Sequence, residues 1–410
     1  MKPLDGIRVL DVTQIVSGPT CTFLLAALGA EVIRVEPPGG DVTWKPPPSY
    51  GPGGVNRGPR GPRDLPLSPL RRQRGKRSLV IDLKQDEGQA LFKRLAGLSD
   101  VLVENARPGV MERLGLDYAA LSGVNDRLVY ASISGYGHDG PYRDRPSMDL
   151  VVQSESGLLA KTGFPDGPPT KVGVTIGDQV PGIYAALGIL AALRQRERDG
   201  RGQWVDVAML DALVALIWDE PLDEFQALGL PERSGNTDPR GAPLDVFPTA
   251  DGWAAIVVTS DAQWEKLREH MGLGERFETA DRTSGDPLLR REINRIVAEW
   301  TRLRPTTELI GELTRIGVPC GAVGSAWSAR EHPQVAHRGM LERLVHPDTD
   351  EPAPFLGPGL PIRFSRAERG IRPAEPLGTS TDAVLGELLG LDPNELRGLH
   401  QRGVIAGPEE

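Results

Sequence analysis

The cysteines and histidines of this sequence, which are common metal ligands and nucleophiles, are few and scattered. Cys21 and Cys320 are the two cysteines, and their separation disfavours a disulfide framework or a zinc motif. His332 and His337 flank Pro333 and therefore do not form a helical pair of ligands. No H-E-x-x-H, G-x-S-x-G or Walker A sequence occurs. We therefore predict no metal site and disfavour serine-hydrolase and P-loop chemistry.

A glycine-rich motif follows a predicted strand. Gly135, Gly137 and Gly140 match the G-x-G-x-x-G pattern of dinucleotide sites. In such sites the glycines open a helix whose N-terminus receives the pyrophosphate. Here Pro141 and Pro146 follow, within PYRDRP, and prevent a regular helix. The context therefore argues against NAD or FAD binding at this motif.

Asp166 lies in the segment TGFPDGPP, and Pro-Asp-Gly is a sequence that tight turns favour. On local sequence alone, Asp166 is predicted to be an ordinary turn residue. Any chemical role for it depends on the segments that accompany it along the chain.

The elements that must position these residues indicate two domains, since the chain has 410 residues. In the first 200 residues, strand-like segments alternate with helix-like ones, as in IRVLDV, TCTFLLAALGA, EVIRVE, SLVIDL and DVLVEN. Strands separated by helices predict βαβ units and a parallel sheet. We therefore expect a large α/β domain. A smaller α+β domain follows, with a hairpin turning at Ala250, Asp251 and Gly252 and helices over 261–271 and 288–300.

Three local features carry their own expectations. The stretch 46–74 is rich in Pro, Gly and Arg and predicts a mobile surface loop or, alternatively, a basic flap over an anionic ligand, with cations at 71, 72, 74, 76 and 77. A buried helix is expected to open at Pro181, because proline suits a first helical turn. A second apolar helix is expected to end near Trp218, and a helical pair after Ser380 or Thr381 should close the chain.

Charge and hydropathy limit the partners and the location. A net charge of −9 disfavours nucleic-acid binding. Asp5 and Asp11 interrupt the continuous apolar run that a secretory signal needs near the N-terminus. The most apolar stretch, 183–193, is too short to span a membrane. We therefore expect a cytoplasmic protein with no membrane association.

Eight segments in order along the chain make the sequence recognisable: PLDGIRVLDVTQIVSGP, LGAEVIRVEPPGGD, GKRSLVIDLK, VENARPGVMERLG, SISGYGHDGP, TGFPDGPP, GRGQWVDVAMLDA and HRGM. Together they resemble the class III coenzyme A-transferases, the CaiB/BaiF superfamily that includes formyl-CoA transferase, carnitine CoA-transferase and 2-methylacyl-CoA racemase. The resemblance covers nearly the whole chain.

The resemblance implies an architecture. Members of this family form interlocked homodimers of ring-shaped subunits, each with a large Rossmann-like domain and a small domain joined by two linkers. For this chain we expect the first part of the large domain over 1–218, a linker over 219–243 and the small domain over 244–329. A second linker over 330–345 and a return to the large domain over 346–410 complete the expected order.

The resemblance also implies a site. Asp166 occupies the place of the catalytic nucleophile, which forms an anhydride with the acyl group of a donor and then an aspartyl-CoA thioester. No tightly bound cofactor is expected, since coenzyme A and acyl-CoA are substrates together with a carboxylic acid. The matching coenzyme A contacts are Ile15, Val16, Lys84, Asn105, Ala106 and Arg113. Cations such as Lys84 and Arg113 suit the phosphates of coenzyme A in a protein of net negative charge.

Two other functions remain open. A racemase of this family uses a histidine and an aspartate as an acid/base pair; the aspartate corresponds to Asp178, but Met148 stands in the place of the histidine. Asp178 is then expected to be structural, capping the next helix. The second alternative is a non-catalytic protein that binds coenzyme A. Val16 and the segment SGNTDPRGAP, which contains only Gly235 and Gly241, depart from the formyl-CoA transferase pattern and disfavour oxalate and formate.

Overall fold

The computed structural model describes residues 1–45, 47–57, 64–347 and 352–408. Its strands are β1 (Arg8–Asp11), β2 (Glu31–Glu36), β3 (Ser49–Gly51), β4 (Gly54–Asn56), β5 (Leu65–Pro66), β6 (Lys76–Ile81), β7 (Val101–Glu104), β8 (Val129–Ser134), β9 (Trp204–Ala208), β10 (Leu244–Pro248), β11 (Trp253–Val257), β12 (Cys320–Ala322), β13 (Leu341–Val345), β14 (Pro352–Pro358) and β15 (Ile405–Ala406).

The α-helices are α1 (Ser17–Ala27), α2 (Leu67–Arg72), α3 (Asp86–Gly97), α4 (Val110–Arg113), α5 (Tyr118–Ser122), α6 (Asp149–Glu155), α7 (Leu158–Lys161), α8 (Ile176–Asp199), α9 (Met209–Ile217), α10 (Leu222–Ala227), α11 (Asp261–His270), α12 (Pro287–Thr301), α13 (Thr306–Ile316), α14 (Pro333–Arg338), α15 (Thr381–Leu389) and α16 (Pro393–Gln401). Short 3₁₀ turns lie at Val42–Trp44 and Ser328–Arg330.

The main sheet has seven strands in the order β15-β6-β2-β1-β7-β8-β9. All neighbours are parallel except β15, which pairs antiparallel with β6. Every residue of β7 and β8 is buried, as expected of parallel strands covered on both faces, and the continuous apolar run VLV in β7 reflects this. The predicted α/β class with a large parallel sheet is confirmed.

The contacts between residues divide the chain into two units. Unit 1 consists of Met1–Ser156, Gly173–Ile217 and His337–Glu410, and unit 2 of Gly157–Val172 and Trp218–Ala336. The segment with Asp166 thus groups with unit 2, and the terminal helices and β15 group with unit 1. In unit 2, β10, β11 and β12 form an antiparallel sheet. The predicted hairpin is β10–β11, and α11, α12 and α13 complete the apolar core around Phe247, Trp264 and Val297.

Several local expectations are wrong, because packing overrides local sequence. Helix α8 begins at Ile176, so Pro181 lies inside the helix and not at its first turn. The apolar helix expected before Trp218 is preceded by strand β9, which adds Trp204–Ala208 to the main sheet, and only Met209–Ile217 is helical.

The stretch 46–74 is not a loop where the structure describes it. Residue 46 and residues 58–63 lie outside the described residues, but β3, β4, β5 and α2 are formed, and Leu65 and Leu70 pack in a buried cluster with Trp44. Two of the cations expected to face an anionic ligand from a basic flap do not do so. Arg74 pairs with Glu342, and Lys76 is buried in β6. These charges are therefore already compensated inside unit 1.

Within the described ranges, α8 has the length and composition of a membrane-spanning helix. It nevertheless packs on α1, β8 and β9, and residues along its length, from Gly177 to Arg196, are buried against them. Core helices have the same composition, so this feature assigns no membrane role.

Candidate functional site

The order of strands in the main sheet reverses beside β1, because β2 and β6 lie on one side of it and β7, β8 and β9 on the other. Ligands of parallel α/β sheets bind outside the carboxyl ends of strands at such a reversal. A cleft lies at this point of unit 1. The loop after β1 contributes Ile15 and Val16 to its lining, and the loop after β7 contributes Asn105 and Ala106.

The Asn105 side chain ties these two loops together. Its amide Nδ2 donates to the Gln14 carbonyl at 2.9 Å and to Ser17 Oγ at 3.2 Å, while its Oδ1 accepts the Gln14 N–H at 2.7 Å. Ile15, the next residue, has a φ of 67°. This left-handed conformation is rare for a β-branched residue and persists only where the surroundings hold it.

Buried ion pairs provide that support. Arg34, on β2, donates from Nη1 to the Thr13 carbonyl at 3.0 Å and from Nη2 to Asp41 at 2.7 Å. Asp41 in turn accepts the Ile15 N–H at 3.3 Å. Arg34 Nε lies 3.1 Å from Glu36 Oε1. The arginine therefore connects β2 to the backbone on both sides of residue 14.

A second pair lies under the same loop. Asp11 accepts hydrogen bonds from Thr13, Thr22 and Lys76, the last at 3.0 Å. Burial raises the pKa of Asp11, but the charges of Lys76 and Arg34 outweigh it and hold the pKa below its usual value. Burial lowers the pKa of Lys76 to about 8, against the charge of Asp11. Asp11 is therefore ionised beneath the cleft.

A further carboxyl supports the loop after β7. Glu104 is buried, and its Oε2 accepts the Ala106 N–H at 2.7 Å. Burial raises its pKa to about 7, although hydrogen bonds from Ser132 and Ala106 and the charge of His138 lower it. His138 Nε2 is 3.7 Å from Glu104 Oε1, and its Nδ1 is 3.0 Å from Asp206 Oδ1. Burial lowers the pKa of His138, but these two carboxylates raise it overall.

Asp178 and Met148 both line the cleft. Burial and the charge of Asp149 raise the pKa of Asp178 to about 6, while Arg72 lowers it. The capping role expected of Asp178 belongs to Asp149, whose Oδ1 accepts the Gly177 N–H at 2.8 Å. The thioether of Met148 cannot transfer a proton to or from a substrate carbon, so the cleft lacks this half of a racemase pair.

Asp166 lies in unit 2, in the turn that its sequence predicts. The Gly167 N–H donates to the Phe164 carbonyl at 3.0 Å, which places Pro165 and Asp166 at the two central positions. Asp166 is exposed. Its carboxyl is therefore accessible at the tip of a hydrogen-bonded turn.

Arg233 supports this turn, and the sequence analysis did not single it out. Its Nη2 donates to the Gly167 carbonyl at 2.7 Å and to the Pro165 carbonyl at 3.5 Å. Its Nε and Nη1 are buried and have no hydrogen-bond partner among the described residues. Arg233 directly precedes the segment SGNTDPRGAP, whose glycines the sequence analysis considered. One of them, Gly235, donates to the Gly163 carbonyl at 3.0 Å and has a φ of 67°.

Comparison with known proteins identifies the family to which this site belongs. A model described as CoA-transferase family III matches residues 4–381. The chain belongs to CoA-transferase family III. The resemblance read from the eight sequence segments is thereby confirmed, and the chain is a CoA-transferase, an enzyme that acts on CoA thioesters.

Relatives of this transferase have similar lengths. The succinyl-CoA–D-citramalate CoA-transferase of Chloroflexus aurantiacus is 36% identical, over 98% of both chains. The succinate–glutarate CoA-transferase of Agrobacterium fabrum is 36% identical over 94% of this chain and 96% of its own. The formyl-CoA:oxalate CoA-transferase of Streptomyces avermitilis is 35% identical over 98% of this chain and 100% of its own.

Solved structures agree. A CaiB/BaiF family protein from Brucella suis matches with a TM-score of 0.79 at 33% identity, over 94% of this chain and 99% of that chain. A protein from Mycobacterium tuberculosis, in an orthorhombic crystal form, matches with a TM-score of 0.79 at 30% identity, over 93% of this chain and 98% of that one.

The structure brings together four of the six positions predicted to contact coenzyme A in this family III transferase. Ile15, Val16, Asn105 and Ala106 border one cleft. Lys84 follows β6, and Arg113 ends α4; both lie outside the lining of that cleft.

Proposed function

We propose that this transferase moves coenzyme A from an acyl-CoA donor, such as succinyl-CoA, to a carboxylic acid, with Asp166 as the nucleophile. The observation that carries the proposal is an exposed carboxyl at the tip of a turn whose backbone Arg233 and Gly235 hold. A nucleophilic carboxylate must be accessible and fixed in direction. The occurrence of succinyl-CoA and succinate in the names of two relatives supports the choice of donor.

The proposed reaction has two mirrored halves. An Asp166 carboxylate oxygen attacks the thioester carbonyl of the donor, coenzyme A leaves as thiolate, and a mixed anhydride forms. The thiolate then attacks the aspartyl carbonyl, which releases the donor acid as its carboxylate and leaves an aspartyl-CoA thioester. The acceptor carboxylate attacks this thioester and displaces the thiolate. The thiolate finally attacks the acyl carbonyl of the new anhydride, which yields the product acyl-CoA and free Asp166.

Coenzyme A is proposed to bind along unit 1. Ile15, Val16, Asn105 and Ala106 would contact it at the cleft, and the cations Lys84 and Arg113 would pair with its phosphates. Each bond made or broken in the two halves involves the substrates and Asp166 alone, so the proposed reaction uses no metal and no tightly bound cofactor.

We further propose that the protein is a cytoplasmic homodimer of interlocked, ring-shaped subunits, with linkers at 219–243 and 330–345. Support for self-association comes from α8, on which Ile183, Tyr184 and Leu187 are exposed. Exposed apolar side chains that share a helix face are typical of an interface.

Intact-protein mass spectrometry after incubation with acyl-CoA donors tests the nucleophile. The wild-type protein should gain a hydroxylamine-sensitive adduct that maps to Asp166. The Asp166→Ala variant should form none and should lose transferase activity by at least about 10³-fold, because it lacks the carboxyl that forms the anhydride in the proposed reaction. Asp223→Ala, which removes a carboxyl elsewhere in unit 2, is the control and should keep both.

Full activity of Asp166→Ala would end the assignment. Coenzyme A binding without an adduct from any donor would favour the racemase or the non-catalytic alternative. Exchange of the α-proton of a 2-methylacyl-CoA with deuterated solvent would then distinguish those two.

A further inference from the structure

The lining of the cleft in unit 1 has an excess of positively charged side chains over carboxylates. Arg107, Arg143 and Arg145 line it, and Asp178 is the one carboxyl among the lining residues that the structure describes. Arg143 and Arg145 lie in PYRDRP, directly after the rejected dinucleotide motif. A Cβ atom at Gly135 would overlap the Ser147 side chain, so the glycine allows this stretch to fold back against the end of β8.

Two of these arginines, Arg143 and Arg145, contact neighbouring side chains, but no closely paired carboxylate among the described residues neutralises their charge. The Arg145 guanidinium lies 3.6 Å from the centre of the Tyr142 ring, which holds it by a cation–π contact. Its Nη1 is 3.7 Å from Glu155 Oε1, which is too long for a hydrogen bond. The charge of Arg145 is therefore only loosely paired.

Arg143 is paired as loosely. Its Nη2 donates a long hydrogen bond to Glu112 Oε1 at 3.5 Å. Its Nε is 3.8 Å from Asp144 Oδ1, and this buried Nε has no hydrogen-bond partner in the part of the chain that the structure describes. Close charged pairs in this unit are much shorter, for example 2.7 Å between Arg34 and Asp41. Charge-assisted hydrogen bonds normally measure about 2.7–2.9 Å. Both cleft arginines therefore retain donors for an anionic group that enters the cleft.

The rest of the lining suits a short carbon chain. Ile15, Val16, Ile133, Met148 and Met209 are apolar and border the same cleft as the two arginines. A ligand that satisfies both parts has a short apolar chain and an anionic end.

We propose that Arg143 and Arg145 bind the second carboxylate of the acyl group, so that the substrates are short-chain dicarboxylic acids and their CoA monothioesters. This inference rests on the proposed function. An acyl group without a second carboxylate would leave both guanidinium groups with only their loose ion pairs and would not form the charge-assisted hydrogen bonds that the carboxylate provides.

Paired substrates that differ only in the second carboxylate test the subsite. The rates of adduct formation from succinyl-CoA and butyryl-CoA, and kcat/KM for glutarate and valerate as acceptors, are measured for the wild type, R143Q and R145Q. Each variant should lower the succinyl-CoA and glutarate values by about 10- to 100-fold, since a hydrogen bond to a charged group is lost. The butyryl-CoA and valerate values should change less than about twofold. Lysine at either position should restore part of the loss. The control R194Q, on an exposed face of α8, should change none of these values.

The outcomes separate the possible occupants. Equal losses for both substrate classes, together with weaker binding of free coenzyme A, would assign the arginines to the phosphates of coenzyme A and overturn the proposal. Unchanged values for R143Q and R145Q would also overturn it. If the wild type forms no adduct with any donor, the proposed function fails. Calorimetry still decides the subsite in that case: succinyl-CoA must bind more tightly than butyryl-CoA, and R143Q must remove the difference.

Discussion

The loop after β1 and the turn that carries Asp166 both contain left-handed backbone, at Ile15 with a φ of 67° and at Gly163 with a φ of 110°. In the first region an isoleucine adopts it, and a buried set of charged side chains holds the loop: Asp11, Arg34 and Asp41. In the second region a glycine adopts it without steric cost. The turn is held by hydrogen bonds from one arginine and one backbone N–H.

The difference reflects what each region has to do. A loop that receives a ligand benefits from being fixed in advance, because ordering it on binding would reduce the affinity. The Asp166 turn must accept first an acyl group and then coenzyme A in the proposed reaction. A turn whose backbone is held by Arg233 and Gly235 while its carboxyl stays exposed suits a group that is covalently modified in every cycle.

The largest effect is expected from breaking the buried ion pairs beneath the first region. Arg34→Met should lower the free energy of unfolding by about 3–5 kcal/mol, because it leaves buried carboxylates without a partner. Denaturant unfolding measures this loss, and calorimetry should show weaker coenzyme A binding, because the support of Ile15 is lost. Arg194→Met, which breaks an exposed pair with Glu197, should leave both values near the wild type. If Arg34→Met lowered the free energy of unfolding as little as the Arg194→Met control, buried ion pairs would not be what holds the loop after β1.

A smaller effect on the free energy of unfolding, one that depends on pH, is expected from replacing Glu104. Its pKa is about 7 in the folded protein and near 4.5 in the unfolded chain, so the folded state binds the extra proton between these values. The stability from this group is therefore fully present below pH 4.5 and is lost as the pH rises through 7. Over that range, wild-type stability relative to Glu104→Gln should fall by about 3 kcal/mol.

Denaturant unfolding at a series of pH values measures this slope. The amide that replaces the Glu104 carboxyl in the variant keeps an oxygen that can accept the Ala106 N–H, so the variant isolates the ionisation. Parallel stability curves for the two proteins would mean that Glu104 ionises normally in the fold.

The smallest effect is expected at the Asp166 turn. Arg233→Met removes the bond to the Gly167 carbonyl and should lower the single-turnover rate of adduct formation by about 10-fold. Binding of coenzyme A should be unchanged, since the predicted contacts lie in unit 1. Arg233→Lys, which restores one cationic donor, should recover part of the rate. A decrease in stability with an unchanged adduct rate would show that Arg233 supports the fold and not the nucleophile.

Much of the fold could be predicted because local periodicity and packing agree. Strands such as β7 are continuous apolar runs that suit a covered parallel sheet, and the hairpin turn around Asp251 contains residues that turns favour. The turn at Asp166 was predictable for the same reason. The prediction was wrong at Pro181 because packing places this proline inside α8 against local preference. It was wrong at β9 for another reason: the alternating pattern of Trp204–Ala208 is that of a strand, but this short strand runs directly into the apolar helix α9.

The sequence by itself determined the family, the α/β class and the turn at Asp166, because ordered segments and local backbone preferences are both written in neighbouring residues. Only the tertiary structure decided which charges are available to a ligand. Lys76 and Arg74 are buried in ion pairs, whereas Arg143 and Arg145 line a cleft with donors to spare, and Arg233 reaches the Asp166 turn from 66 positions away. Whether a charge is compensated depends on partners that are distant in the chain, and local sequence contains no record of them.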